Sequence, residues 1–322
     1  VIKPNFILNS FVRSKPFYKT GWYNDVYNIN YWLPFMFDVK HKLECNLDYD
    51  IVVAHMPSGI LFADKLGLPF IAGVHNSDLE VLTKPIYSFY FRKRLKAALF
   101  NAKAIACRSF VIKEKLIKLL PDLQSKIFVA PSGVNSETIV ERIPLQNPYE
   151  IKVLTCANFK KRKNIDKVIE ACKGLENFEL TVIGDGKIRK NLEKLDKNVI
   201  FTGSLSHCEV LRKMYESDIF VLPSVGETFG MVYLEAMSQG CIVVCTKDDG
   251  VDGIIKDSEN GFLTIPISTE IRKILLKIKA MDDDRLKAMS YNSFQTIQNF
   301  TSNKCCYEYL QQILRFCKDL TL

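Results

Sequence analysis

The sequence predicts an α/β protein with two parallel sheets. Three observations carry this expectation: ten short apolar runs, helix-patterned segments between them, and one polar, proline-bearing stretch that separates four runs from six. Each run holds a core of four to six residues of Val, Ile, Phe or Ala, and such continuous runs fit strands buried on both faces. Strands that alternate with helices build parallel sheets.

Residues 1–48 include FILNSFVRSKPFYKTGWYNDVYNINYWLPFMF, an aromatic segment without clean periodicity. The opening strand, glycine turn and helix of a doubly wound domain are not found there. Either the natural start lies outside this chain, which opens on Val1, or the first domain is reduced. Four runs follow: DIVVAHMPS (50–58), PFIAGVH (69–75), AKAIACRS (102–109) and KIFVAPSG (126–133). Residues 134–150 are polar and carry Pro144 and Pro148, so the domain boundary is placed there. Six runs come next: KVLTCAN (152–158), FELTVIGDG (178–186), NVIFTG (198–203), DIFVLPS (218–224), CIVVCTK (241–247) and GFLTI (261–265). IDKVIEACKGL (165–175) and EVLRKMYESD (209–218) have helical patterning. SNKCCYEYLQQILRFCKDL (302–320) reads as one amphipathic helix with Tyr309, Ile313 and Phe316 on a face that needs cover. The expected domains are 1–140, 141–301 and a terminal helix, 302–322.

Composition narrows the function classes. A chain of 322 residues, 48% hydrophobic and 25% charged, suits a soluble protein of two domains. The net charge of +8 is spread along the chain, too diffuse for a nucleic-acid surface, and suits an anionic ligand or membrane surface. The ten cysteines contain no CxxC pair, and Cys107, Cys156, Cys241 and Cys245 sit in apolar runs. They read as reduced, buried thiols of a cytosolic protein. No apolar run reaches the ~18 residues of a membrane span, and no signal peptide is visible at the start.

The chemistry centres on SVGETFGMVYLEAMSQG, residues 224–240. A strand ends at Pro223-Ser224, a loop follows, and Thr228 to Ser238 reads as a helix stopped by Gly240. Strand, loop and helix aim backbone N–H groups at an anion at the sheet's carboxyl edge. Phosphate is the natural guest, on the N–H groups of Phe229 to Val232, with Gly230 permitting close approach. Glu227 and Glu235 flank this point, eight residues or roughly 12 Å apart if helical. They can accept bonds from hydroxyls on either side of a diphosphate. The plainer alternative is a helix cap and a solvated surface charge.

PSVGETFGMVYLEAMSQGCIVV resembles the signature of retaining GT-B glycosyltransferases of the family 4, or glycosyl transferases group 1, type. Glu227, Phe229-Gly230 and Glu235-Ala236 match that pattern. KRKNIDKVIEA is similar to the family's lysine loop, FELTVIGDG to its glycine turn, NVIFTG to its next strand, and AHMPSG and AGVHNSD to its first-domain loops. The resemblance implies two Rossmann-like domains facing across a cleft, with the donor nucleotide-sugar held mainly by the second and the acceptor by the first. It also implies that the last helix returns to the first domain. Catalytic roles fall on Glu227 for the donor sugar, Lys163 for the donor phosphates and His75 for a sugar hydroxyl. Asn158, Gly184, Gly186, Thr228, Phe229, Gly230, Met231, Val232 and Glu235 make the remaining donor site, with Glu235 on the ribose. Taken alone, Lys163 reads as a surface lysine in KKRK, His75 as a structural histidine, and the Gly184–Gly186 turn as a tight bend.

One departure is clear: Asn158 stands where the family usually carries a phosphate-binding arginine, five positions before the lysine. Lys160, Lys161 and Arg162 are the candidates to replace it. The expected function is metal-independent, retaining transfer from a UDP- or GDP-linked sugar to a glycan or lipid-linked acceptor, in cell-surface polysaccharide or glycoconjugate synthesis. No metal or other cofactor is expected, and Asp248-Asp249 and Asp282-Asp283-Asp284 read as polar loops. The expected place is the cytoplasm, with peripheral contact at the inner face of the cell membrane through KPIYSFYFRKRLKAALF (84–100). Rival readings are a catalytically reduced nucleotide-sugar-binding subunit and a nucleotide-sugar epimerase. A nicotinamide dehydrogenase is weak, because Arg189 stands at the third glycine of its fingerprint.

Overall fold

The computed structural model describes residues 51–317, apart from 68, 88–90 and 146–148. The aromatic segment 1–48, the chain beyond 317 and part of the basic stretch 84–100 lie outside the described residues.

All ten apolar runs form strands: β1 Val52–His55, β2 Phe70–Val74, β3 Ala104–Cys107, β4 Ile127–Val129, β5 Ile151–Cys156, β6 Phe178–Ile183, β7 Ile200–Gly203, β8 Ile219–Leu222, β9 Ile242–Thr246 and β10 Phe262–Thr264. They make a four-stranded sheet in the order β1-β2-β3-β4 and a six-stranded sheet in the order β10-β9-β8-β5-β6-β7. By compactness the chain divides into Val1–Ile105 with Asp319–Leu322, and Ala106–Lys318.

In the first unit β1 and β2 pair in parallel, with Ala54 opposite Ala72. The helices are α1 Met56–Leu66, α2 Asn76–Thr83 and α3 Phe91–Asn101. Pro57 sits in the first turn of α1, where its missing N–H costs nothing. The backbone N–H of His75 donates to Asp78 Oδ2 at 2.8 Å and fixes the start of α2. Leu95, Ala98 and Leu99 turn α3 toward the core.

The second unit holds α4 Phe110–Leu119, α5 Ile165–Cys172, α6 Arg189–Glu193, α7 His207–Tyr215, α8 Met231–Ser238, α9 Ser268–Lys279, α10 Asp283–Gln298 and α11 Ser302–Phe316. Strands β8 and β9 at the centre of its sheet are buried throughout, as continuous apolar runs require, whereas the edge strand β7 is partly exposed. Val153, Val221 and Val244 point into one cluster with residues of α5 and α9. Leu154, Phe220 and Leu222 point into the other, with residues of α7 and α8. Strand order reverses between β5 and β8, where Val153 lies opposite Ile219. Such a reversal opens a crevice at the carboxyl ends of the two strands, the usual ligand position in parallel sheets. The last helix, α11, sets Tyr309 and Phe316 against Phe128 of β4, with ring centroids 6.0 and 5.9 Å apart.

Two expectations change. Among the described residues no cysteine forms a disulfide, but Cys208 and Cys306 are exposed, so the thiols are not buried throughout. Both lie on the outer faces of their helices. The helix expected from Thr228 begins at Met231, because Gly230 takes a left-handed backbone conformation that ends the loop.

Candidate functional site

The site is built at the switch point from the loops that follow β5 and β8. After β5 the chain forms a single 3-10 turn, Lys161–Lys163, closed by Asn164 in a left-handed conformation. After β8 comes the loop 223–230. Two long-range bonds stitch these loops together: Val225 N–H donates to the Arg162 carbonyl at 2.8 Å, and Asn164 Nδ2 to the Pro223 carbonyl at 2.7 Å.

The stitching brings the basic turn onto Glu227. Its Oε1 accepts from Ser224 Oγ at 2.7 Å and Arg162 Nη1 at 3.0 Å, and also from Lys163 Nζ. The Glu227 and Lys163 side chains are only 13% and 14% exposed. Burial by itself would raise the Glu227 carboxyl, but Lys163, Ser224 and Arg162 together hold it below its ordinary value. An ionised carboxylate therefore stands beside two cations.

Helix α8 opens next to this cluster. Thr228 and Phe229 precede it in the loop, and Met231 and Val232 are its first two residues. The leading N–H groups of a helix have no intrahelical partner and favour an anion. Phe229 is buried, with the Arg108 guanidinium 6.0 Å from its ring centroid. Gly230, at φ 92°, is required by its own helix: a Cβ there would stand 2.5 Å from the Tyr233 ring. That ring is pinned by Tyr233 Oη donating to the Leu222 carbonyl at 2.8 Å. The sequence pattern suggested ligand approach as the reason for this glycine; the structure supplies a packing reason.

Glu235 lies one turn into α8, a helical (i, i+4) step from Met231. Its Oε1 is 3.1 Å from His207 Nε2, at the start of α7. A capping box between Ser206 and Glu209 fixes that start. The span from Glu227 to Glu235 is part loop and part helix, so the 12 Å helical estimate does not apply. Gly184 and Gly186 follow β6. A Cβ on Gly184 would meet the Ala157 carbonyl oxygen at 1.9 Å, and one on Gly186 the Phe159 oxygen at 2.7 Å. The glycines let this turn close against the loop 157–159, which the Phe159 N–H ties to the Asp185 carbonyl at 2.8 Å. Asn158 is exposed on that loop, its carbonyl bonded to the Lys160 N–H at 2.8 Å.

His75 belongs to the first unit, at the end of β2. Its Nε2 lies 3.2 Å from His55 Nδ1, and the His55 ring occupies the space above Gly73. Beside it Asp78 is fully buried, and burial pushes its carboxyl up to about 7.

Four residues escaped the sequence reading as parts of the site. Asp249 is the chief one. Its carboxylate accepts from the N–H groups of Gly226 and Gly250, at 2.5 and 2.8 Å, and so shapes the loop that carries Glu227. Burial raises its pKa while those N–H groups lower it, leaving it above the ordinary value. The Asp-Gly step just after β9 was the available signal. Ser224, Asn164 and His207 are the others; none has a pattern that marks it before the strand order is known.

The sequence matches the family model described as Glycosyl transferases group 1 over residues 136–296, and the one described as Glycosyltransferase Family 4 over residues 11–138. It is 30% identical over 257 residues to an uncharacterized glycosyltransferase of Methanocaldococcus jannaschii, covering 77% of this chain and 68% of that protein. It is 26% identical over 258 residues to a sulfoquinovosyl transferase of Arabidopsis thaliana, covering 73% of this chain and 50% of that one. Beyond the archaeal protein, the chain spans about half the length of the curated relatives it matches. Among solved structures it resembles a sucrose-phosphate synthase of Thermosynechococcus elongatus, with TM-score 0.70 and 18% identity over 85% of this chain and 75% of that one. It resembles Anabaena HepE, solved with UDP, equally well: TM-score 0.70 and 18% identity over 83% and 79% of the two chains. At such identity the likeness is one of fold.

Proposed function

The chain belongs to the glycosyl transferases group 1 family, and on that premise we propose that it is a retaining glycosyltransferase using a nucleotide-sugar donor. Its fold is the GT-B fold of the solved structures it resembles. The donor is a UDP- or GDP-linked sugar and the acceptor a glycan or lipid-linked sugar, in polysaccharide or glycoconjugate synthesis. UDP is the first nucleotide to test, since it is bound in the Anabaena structure.

One observation carries this proposal: Lys163 and Glu227 converge at the carboxyl edge of the switch point, beside the leading N–H groups of α8. A diphosphate placed there meets the Lys163 ammonium and the N–H groups of Met231 and Val232. Glu227 accepts from hydroxyls of the sugar on one side and Glu235 from those of the ribose on the other. Lys163 offsets the charge that grows on the leaving diphosphate. The acceptor oxygen bonds to the anomeric carbon as the bond to the diphosphate breaks, and a departing phosphate oxygen takes the acceptor proton. His75 orients a sugar hydroxyl. No metal takes part in this scheme.

We place the reaction in the cytoplasm, with contact to an anionic membrane face through α3. Lys93, Arg94, Lys96 and Phe100 are exposed on that helix, and Arg92 donates to the Thr83 and Lys84 carbonyls at 2.9 Å. Among the described residues no helix is long and apolar enough to cross a membrane.

The test is nucleotide release across a panel of UDP- and GDP-sugars, with and without lipid-linked and oligosaccharide acceptors. Acceptor-dependent release from one donor is the expected result. Tight donor binding without product would favour the second reading, a nucleotide-sugar-binding subunit, to which Asn158 in place of the usual arginine points.

A further inference from the structure

We propose that Arg162 is the second cation on the donor diphosphate of this chain, gripping the phosphate next to the sugar together with Lys163. The proposal rests on the nucleotide-sugar reading above. The usual arginine position holds Asn158, which has no charge to give. Of the three cations that precede Lys163, Arg162 alone reaches the site: its Nη1 lies 3.0 Å from the same Glu227 oxygen that Lys163 contacts.

Its placement is built into the backbone. The Val225 N–H donates to the Arg162 carbonyl at 2.8 Å, so the residue is fixed across the loop that leads to Glu227. The guanidinium lies along that loop, with Nη1 3.4 Å from the Val225 carbonyl oxygen. Every contact it makes among the described residues uses Nη1. The other N–H groups of its fork remain for a ligand, and the side chain is 46% exposed against 14% for Lys163. Two cations meet one carboxylate beside the start of α8, and the neighbouring Asp249 carboxylate is already engaged by the N–H groups of Gly226 and Gly250. A guanidinium matches phosphate oxygens in pairs, which an ammonium does not. An incoming diphosphate can therefore take both cations from Glu227 and release that carboxylate for the sugar.

Position sets specificity. Glu227 marks the sugar end of the donor and Glu235 the ribose end. A cation held on Glu227 meets the phosphate next to the sugar and misses the one next to the ribose. Arg162 therefore distinguishes nucleoside diphosphates from monophosphates.

The test is calorimetric titration of the full chain with UDP, GDP, UMP and GMP, comparing wild type with Arg162→Ala and Arg162→Gln. The glutamine variant retains a side-chain donor for the loop carbonyls but has no charge, and melting curves check that both variants fold. For the base that wild type prefers, both variants should lose diphosphate affinity by about 10- to 100-fold, with the monophosphate unchanged. A diphosphate loss under about threefold, or an equal loss for monophosphate and diphosphate, overturns the assignment. Wild type binding neither diphosphate would sink the nucleotide-sugar reading and this proposal with it.

Discussion

Replacing Glu227 by glutamine removes one charge and little volume. In the structure that charge faces Lys163, Arg162 and Ser224 on a single oxygen, and the lysine is nearly as buried as the carboxylate. A contact of this kind attracts by about 4 kcal/mol at an effective dielectric near 20. Desolvation cancels part of it, and the exposed Arg162 contributes little. A net loss of about 2 kcal/mol follows, or roughly 4–8 °C in melting temperature for a unit of this size. The effect on transfer is larger. Charge-assisted bonds from Glu227 to two sugar hydroxyls are worth about 3–6 kcal/mol together, so kcat/KM should fall about 10²- to 10⁴-fold. Affinity for the free nucleoside diphosphate should hold or rise, because the variant no longer competes for Lys163. The assay pairs a melting curve with steady-state kinetics on the preferred donor and a titration with its nucleoside diphosphate. A variant that transfers within threefold of wild type would refute the assignment of Glu227 to the sugar.

Four further outcomes are expected. Transfer should continue in excess chelator; its loss on chelation and return with manganese would rule out the metal-free scheme. Vesicles rich in anionic lipid should carry the protein in flotation at low salt, and Lys93→Glu with Lys96→Glu should release it; no flotation of wild type removes the membrane contact. Gly230→Ala should destabilise by about 1–3 kcal/mol, since it strains φ and meets the Tyr233 ring; an unchanged melt contradicts the packing account. Asp78, pushed up to about 7 by burial from 3.8, binds more protons folded than unfolded between those values, so it lowers stability as pH rises through that window. Asp78→Asn retains an oxygen for the His75 N–H and should flatten the fall between about pH 4 and 7; equal slopes in the two proteins refute it.

Much of the fold was legible because its signal is local. Each of the ten runs is a strand, and the central strands β8 and β9 are covered on both faces, as their runs of Ile, Val, Phe and Leu require. The start of α8 was less legible. Thr228 and Phe229 fit a helical pattern, but the Tyr233 ring claims the space at Gly230 and delays the helix to Met231. Asp249 read as a polar loop because nothing near it in sequence shows that its carboxylate would meet N–H groups of the loop after β8.

The sequence by itself determined the alternation of strand and helix, the glutamate pair at Glu227 and Glu235, and the family. These depend on neighbours a few residues apart, where periodicity and motif spacing act. The tertiary structure decided which cations meet Glu227. Lys163 and Glu227 are 64 residues apart and meet only because β5 and β8 lie side by side where strand order reverses. Adjacency of that kind is set by how the sheet packs, and it distinguishes Arg162 from the other basic residues of the same short run.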